Sequence, residues 1–345
     1  MFDINFYMQI AGLKKRLMNS EQLNPEFVFT EFEKYRSRYP FVYNIETTNA
    51  CNMHCEACPR NLMTRPIETL DLDTFKRIIE QIKPFSEREW LAWEEFVKKE
   101  YGILKDEAGE NHFFLYIIPK VVVLHGYGEP VLDRYLAQRI ELLSKRGMPS
   151  YFSSHCANID PEKAVSLFDR GLGYLKFSGD SFQCNGFYKK MANLLKIKKI
   201  FGYKNKIIIS MVDLRKPEQE EEWKRLNEVF CSEDVYLYRK SQDQRWYRDN
   251  KEESRALHWQ EFCQFPWTSM SIQSDGKVVA CCGDYNSQLV LGDSKKDSLY
   301  SIWNSPEYRK FREKHFFPTE EFKCTKDCDR QTVGEMYRDL KRVLI

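Results

Sequence analysis

Residues 41–59 read FVYNIETTNACNMHCEACP. The first eight, from Phe41 to Thr48, are largely apolar or β-branched and predict a strand. The remainder delivers Cys51, Cys55 and Cys58 on the loop that follows it. Three thiols at the spacing CxxxCxxC can wrap one compact metal centre. A structural zinc site takes four protein ligands, commonly as two CxxC pairs. This knot supplies three, and His54 sits where its ring would tend to point away. Three thiolates suit a cubane iron–sulfur cluster, which normally takes four cysteines, so that one iron stays open to a substrate or cofactor. A zinc knuckle completed by a ligand elsewhere in the chain is the competing reading.

Outward from this strand the chain alternates. Helical patterns at 71–82, 133–146, 161–170, 187–201 and 217–230 separate apolar strands at 120–125, 150–154, 173–178, 206–212 and 234–238. Near-continuous apolar strands between helices predict an α/β fold with a parallel sheet. About six βα units fit between residues 41 and 240. A closed barrel needs eight, so the expectation is a partial (β/α)6 TIM-like barrel. Residues 84–118, rich in Trp, Glu and Lys, are too long for one connection and predict a helical insertion. Residues 1–40 predict an N-terminal extension of one or two helices. Residues 241–345 predict a charged linker and a small α+β unit, whose hairpin turns at Ser274-Asp275-Gly276 and whose helix spans 298–315.

Composition removes several classes. A 42% hydrophobic and 14% aromatic content excludes a disordered chain. The net charge of +2 provides no global field for nucleic acid. No stretch approaches the 18 or so apolar residues of a membrane span, and the N-terminus is a poor secretory signal. Eleven cysteines, an odd count, cannot all pair within the chain. The expectation is a cytoplasmic metalloprotein, because clustered cysteines in a reducing compartment serve metals or catalysis more often than disulfides.

The cysteine knot after the first strand resembles the radical SAM superfamily. The resemblance implies that Cys51, Cys55 and Cys58 hold a [4Fe-4S] cluster whose open iron chelates S-adenosylmethionine. One electron then cleaves the sulfonium, and the 5′-deoxyadenosyl radical abstracts a substrate hydrogen. Gly126-Tyr127-Gly128-Glu129-Pro130, after the second strand, resembles the family's Gly-Gly-Glu motif. That implies a role for Gly126, Gly128 and Glu129 against the amino group of the cofactor, where an ammonium needs acceptors. Ser153, Ser154 and Asn158, and then Ser178 and Asp180, end the next two strands and resemble the polar contacts to its carboxylate or ribose. The bland alternative for each is a strand-end turn or helix cap. Ala57 departs from the family, which often has an aromatic residue there.

The second cysteine group resembles a twitch domain, the shortened SPASM domain. The residues that carry this are Phe262-Cys263-x-x-Pro266-Trp267, Asp275-Gly276, Cys281 and the pair Cys324 and Cys328. The resemblance implies a second [4Fe-4S] cluster on Cys263, Cys281, Cys324 and Cys328, closed and suited to electron transfer. Cys282 is then spare or replaces Cys281. A structural zinc site is the alternative. Cys156, Cys184 and Cys231 read as packing cysteines, with Cys156 the best placed of them to donate a hydrogen atom. The charged run 239–258, with Arg239, Arg245, Trp246, Tyr247 and Arg248, reads as a solvated face or, alternatively, a site for a phosphate or nucleotide.

The leading expectation is oxidation of a hydroxyl- or amine-bearing carbon in a small molecule such as an amino sugar or aminocyclitol. The auxiliary cluster would take up an electron, and a flavodoxin or ferredoxin would supply the first one. Only about 40 residues precede the first strand, fewer than a leader-binding domain uses, which favours a small molecule over a peptide. The alternatives are a radical epimerase, a peptide maturase, and a non-catalytic iron–sulfur or zinc protein.

Overall fold

The computed structural model describes residues 1–18, 23–55, 58–102, 109–177, 186–204, 206–212, 216–230, 235–240, 263–317, 319 and 322–326. Six strands follow the expected order. They are β1 (Val42–Ile45), β2 (Val122–Val123), β3 (Ser150–Ser154), β4 (Tyr174–Phe177), β5 (Lys206–Val212) and β6 (Val235–Lys240). Each is parallel to and hydrogen-bonded with the next. The sheet order β6-β5-β4-β3-β2-β1-β7-β8-β9 has β6 at one end and is open.

The hairpin of the C-terminal unit does not stand apart. Its first strand, β7 (Met270–Ile272), pairs parallel with β1, and β8 (Lys277–Val279) and β9 (Val290–Asp293) continue antiparallel beyond it. One nine-stranded sheet therefore runs from the barrel into the C-terminal unit. Nothing in a linear reading sets strands some 225 residues apart side by side; the shared apolar face of Val42, Ile45, Met270 and Ile272 does.

Strand alternation splits the interior into two cores. Ile207 and Ile209 of β5 face one side and Ile208 the other, as do Phe152 and Tyr151 of β3. The first side is covered by the connecting helices α4 (Leu72–Glu80), α7 (Leu136–Lys145), α8 (Pro161–Asp169), α9 (Phe187–Phe201) and α10 (Glu218–Phe230). Asp71 caps α4 and Asp160 caps α8, each accepting from a backbone N–H of the first turn.

The second side is aromatic and is filled by described residues of the insertion. Helix α5 (Glu87–Tyr101) begins with a capping box between Ser86 and Glu89 and ends at Gly102 in the left-handed region. Beyond it, α6 (Glu110–His112) runs into helical turns through Lys120. Trp93 of α5 is fully buried and donates its indole N–H to Leu115 O at 2.6 Å. Phe113 stacks on Tyr238 at 5.1 Å and meets Tyr151 edge-on at 5.5 Å. His112 Nδ1 and the Tyr236 hydroxyl lie 2.7 Å apart. Burial pushes the Tyr151 and Tyr238 phenols well above their usual pKa, so this packing holds them neutral.

The N-terminal extension contains three helices among the described residues, α1 (Ile4–Gln9), α2 (Ala11–Met18) and α3 (Pro25–Tyr35), where one or two were expected. They build a third core around Phe6, Phe32, Trp267 and Phe316, tying the extension to α11 (Phe265–Thr268) and α13 (Pro306–Phe316) of the C-terminal unit. Helix α12 (Leu299–Trp303) packs into the main core, and α14 (Lys323–Lys326) carries Cys324 to it.

Candidate active site

Cys51, Cys55 and Cys58 lie, half-buried, beyond the end of β1. The Cys58 N–H donates to Cys55 O at 3.2 Å, a tight turn, and Cys58 then starts the single helical turn Pro59–Leu62. The Met53 N–H points at the Cys51 sulfur, 3.4 Å away. His54 Nδ1 faces Asn61 Oδ1 at 3.5 Å on the exposed side.

The residues singled out after β2 and β3 come together on this loop. The Glu129 N–H donates to Ala50 O at 2.7 Å, beside Cys51. The Glu129 carboxylate is buried and accepts from Ser154 Oγ (2.8 Å), the His155 N–H (3.0 Å), Asn158 Nδ2 (3.1 Å) and the Val131 N–H (3.2 Å). Asn158 in turn exchanges side-chain hydrogen bonds with Asn52, which lies between the first two cysteines: Asn52 Nδ2 donates at 2.8 Å and Asn158 Nδ2 returns one at 3.1 Å. The cysteine loop, the glycine loop and the end of β3 thus form one polar network at the same ends of β1, β2 and β3. Gly128 is needed for the approach, because a Cβ there would sit 2.1 Å from Thr48 O and 2.7 Å from Asn49 Cα.

Cys156 is placed differently. It is buried in the main core and lines a small cavity with Phe177, Met191 and Leu194, on the side covered by the connecting helices. That is a packing position among the connecting helices, on the other side of the sheet from the aromatic face. Ser178, Asp180, Cys184, Cys231, Cys328, Ala57 and residues 241–258 of the charged run lie outside the described residues.

A buried charge pair missed by sequence reasoning links this mouth to the C-terminal unit. Glu46, just past β1, accepts from Arg65 Nη2 at 2.9 and 3.1 Å, from the Tyr127 N–H at 2.9 Å, and from the Ser274 N–H and hydroxyl at 3.1 Å each. Arg65 Nε donates to Tyr285 O at 2.6 Å. Asn286 accepts from the Thr64 N–H at 2.8 Å and donates to Leu62 O at 3.2 Å. The only available signal was a lone acid ending an apolar strand, which looks like any solvated Glu.

In the second cysteine group, Cys281 packs against the core that contains Cys324, and its sulfur accepts from the Gly283 N–H at 3.2 Å. Cys263 is half-buried just before α11. Among the described residues there is no disulfide, and no three His, Cys, Asp or Glu side chains converge as a single-ion site requires. The donor set is thiol sulfur, with a backbone N–H aimed at one sulfur of each group. Such N–H···S bonds stabilise thiolate charge on cluster ligands, and the residues fit iron–sulfur ligation.

Residues 263–329 match the SPASM family, an iron-sulfur cluster-binding domain. The match covers the C-terminal cysteine group and leaves the barrel strands outside it. The same chain thus carries a CxxxCxxC loop after β1 of an open parallel sheet and a stretch that matches an iron-sulfur cluster-binding domain. None of the curated proteins matches the chain in sequence. Among solved structures, BtrN in complex with AdoMet and 2-DOIA is similar at a TM-score of 0.48 and 13% identity, covering 84% of this chain and 94% of its own. The anSMEcpe structure with bound AdoMet has a TM-score of 0.49 at 12% identity, with 87% and 91% covered. SuiB of Streptococcus suis bound to S-adenosylmethionine has 0.49 at 12%, with 94% and 81% covered. These likenesses are weak in shape and in sequence, and no substrate follows from them. No helix among the described residues is long and apolar enough to cross a membrane.

Proposed function

We propose that the chain cleaves S-adenosylmethionine reductively and uses the resulting radical to oxidise a hydroxyl- or amine-bearing carbon of a small molecule such as an amino sugar or aminocyclitol. The observation that carries the radical SAM part is the network Asn52–Asn158–Glu129–Ser154, which gathers three separated sequence motifs on the cysteine loop. The clusters, when bound, supply the electrons and the cleavage chemistry. The chain's part is to bind, orient and exclude water. Cys51, Cys55 and Cys58 would hold the first cluster, and Cys263, Cys281, Cys324 and Cys328 the second. Gly126, Gly128, Glu129, Ser154, Asn158, Ser178 and Asp180 would line the cofactor site. In that site an ammonium arriving at Glu129 would replace one of its four present donors, all of which are neutral.

The small-molecule part draws on the inner face of the sheet. The insertion already fills it over Tyr151, Tyr236 and Tyr238, which disfavours a long peptide laid along the strands and favours a compact substrate at their ends. Lys176 Nζ lies over the rings of Phe113 and Tyr151, at 5.7 and 5.9 Å, and gives that face a cation. For the oxidation to balance, the substrate would give up one hydrogen atom, one electron and one proton, and a cluster held by Cys263, Cys281, Cys324 and Cys328 would supply the electron acceptor. Cys156 packs among the connecting helices, which favours oxidation over the epimerase alternative.

The test is anaerobic reconstitution with a flavodoxin or ferredoxin as reductant, followed by quantification of 5′-deoxyadenosine. Wild type forms it, a panel of amino sugars and aminocyclitols speeds its formation, and Cys55→Ala does not form it. A reconstituted wild type that forms none overturns the reading. Solvent deuterium appearing at carbon in the product would point to epimerisation instead.

A further inference from the structure

The glycine loop and the second cysteine group are joined by one side chain. The Tyr127 hydroxyl donates to Cys282 O at 2.7 Å. That carbonyl belongs to the same peptide unit as the Gly283 N–H, which donates to the Cys281 sulfur at 3.2 Å. The order is therefore hydroxyl, carbonyl, amide N–H, sulfur. A donor on the carbonyl draws charge across the amide and sharpens its N–H, so each bond in such a chain strengthens the next.

Tyr127 is fixed at both ends. Its own N–H is held by Glu46 Oε1 at 2.9 Å, and its ring meets Tyr285 edge-on at 5.9 Å. The receiving loop is braced as well. Asp284 accepts from the Gln288 and Leu289 N–H groups at 2.8 Å each, and its carbonyl accepts from Gln273 Nε2 at 2.6 Å. Neither partner of the contact has freedom to drift away from the other.

We propose that Tyr127 tunes the auxiliary cluster from the cofactor loop, by setting the strength of the N–H···S bond to Cys281. Hydrogen bonds to ligand sulfurs help to set cluster potentials. A donor stabilises the more negative, reduced state, so the Tyr127 hydroxyl raises the potential and makes the cluster a readier electron acceptor. The inference rests on the reading of Cys281 as a cluster ligand. It also makes the glycine loop a mechanical link between cofactor binding and the second cluster.

The experiment uses the full chain carrying Cys51→Ala, Cys55→Ala and Cys58→Ala, which leaves the auxiliary cluster alone. Iron and sulfide are counted, and the potential is measured by a redox titration followed by electron paramagnetic resonance. Tyr127→Phe keeps the ring and its contact with Tyr285 and removes only the hydroxyl. Its potential shifts to a more negative value than the parent's, whereas Tyr285→Phe leaves the potential where it was. Equal potentials in Tyr127→Phe and the parent overturn the inference, as does an equal shift in Tyr285→Phe. A parent that holds no iron overturns the cluster reading beneath it, a separate and distinguishable result.

Discussion

Glu46 and Arg65 are 2% and 6% exposed in their side chains, and among the described residues their charges meet each other, nearby backbone and hydroxyl groups, and the charge of Asp284. Removing one partner leaves the other charge buried. Arg65→Met is therefore expected to cost about 3–5 kcal/mol, read as a lowered thermal midpoint under anaerobic conditions. A midpoint within a degree of wild type would show that the pair is not the link described. Gly128 makes a second residue-level prediction. An added methyl meets backbone at 2.1 Å, and backbone cannot rotate aside as a side chain does. Gly128→Ala is expected to cost about 1–3 kcal/mol and to weaken S-adenosylmethionine binding in equilibrium dialysis, by separating the glycine loop from Thr48. At this scale the sequence was legible where chemistry and spacing coincide. Cys51 to Cys58, Glu129, Ser154 and Asn158 could be named in advance, and they fall in one place. Glu46, Arg65 and Tyr127 could not, because their meaning depends on Ser274, Tyr285 and Cys282, which lie more than 150 residues further along the chain.

The insertion shows what an element contributes. Its helical pattern was legible, but its place was not, since the amphipathic face of α5 does not say which side of a sheet will receive it. Trp93 locks it there, with its N–H on the buried Leu115 carbonyl. Trp93→Phe leaves that carbonyl without the indole donor and is expected to cost about 1–3 kcal/mol in chemical unfolding; no change would mean that the insertion is held by other contacts. Helix α13 carries a pH dependence. His315 is buried among Trp267, Phe311 and Phe322, and desolvation lowers its pKa from 6.5 to about 4. The unfolded chain takes up its proton near the ordinary value and the folded chain only near the lowered one. The native state therefore loses stability as pH falls between those values, by at most about 1.4 kcal/mol per pH unit from this group. His315→Gln should flatten that limb of a stability–pH curve, and an unchanged slope would contradict the assignment.

At the scale of the whole molecule, the six βα units and the hairpin could be read in order from hydrophobic periodicity and turn residues. Their fusion into one sheet through β1 and β7 could not, because pairing between distant strands leaves no local mark. The fusion matters for function, since the loop after Cys281 meets the loop after Cys58 through Asn286 and Arg65, and meets the glycine loop through Tyr127. The proposed chemistry needs two separate thiolate sets, one open and one closed, each holding a cluster. Iron and sulfide quantification after anaerobic reconstitution tests it most directly. Wild type should hold about eight irons and the Cys51→Ala, Cys55→Ala, Cys58→Ala protein about four. A wild-type chain that binds one zinc and no sulfide, or a triple variant that keeps the full iron count, would contradict it.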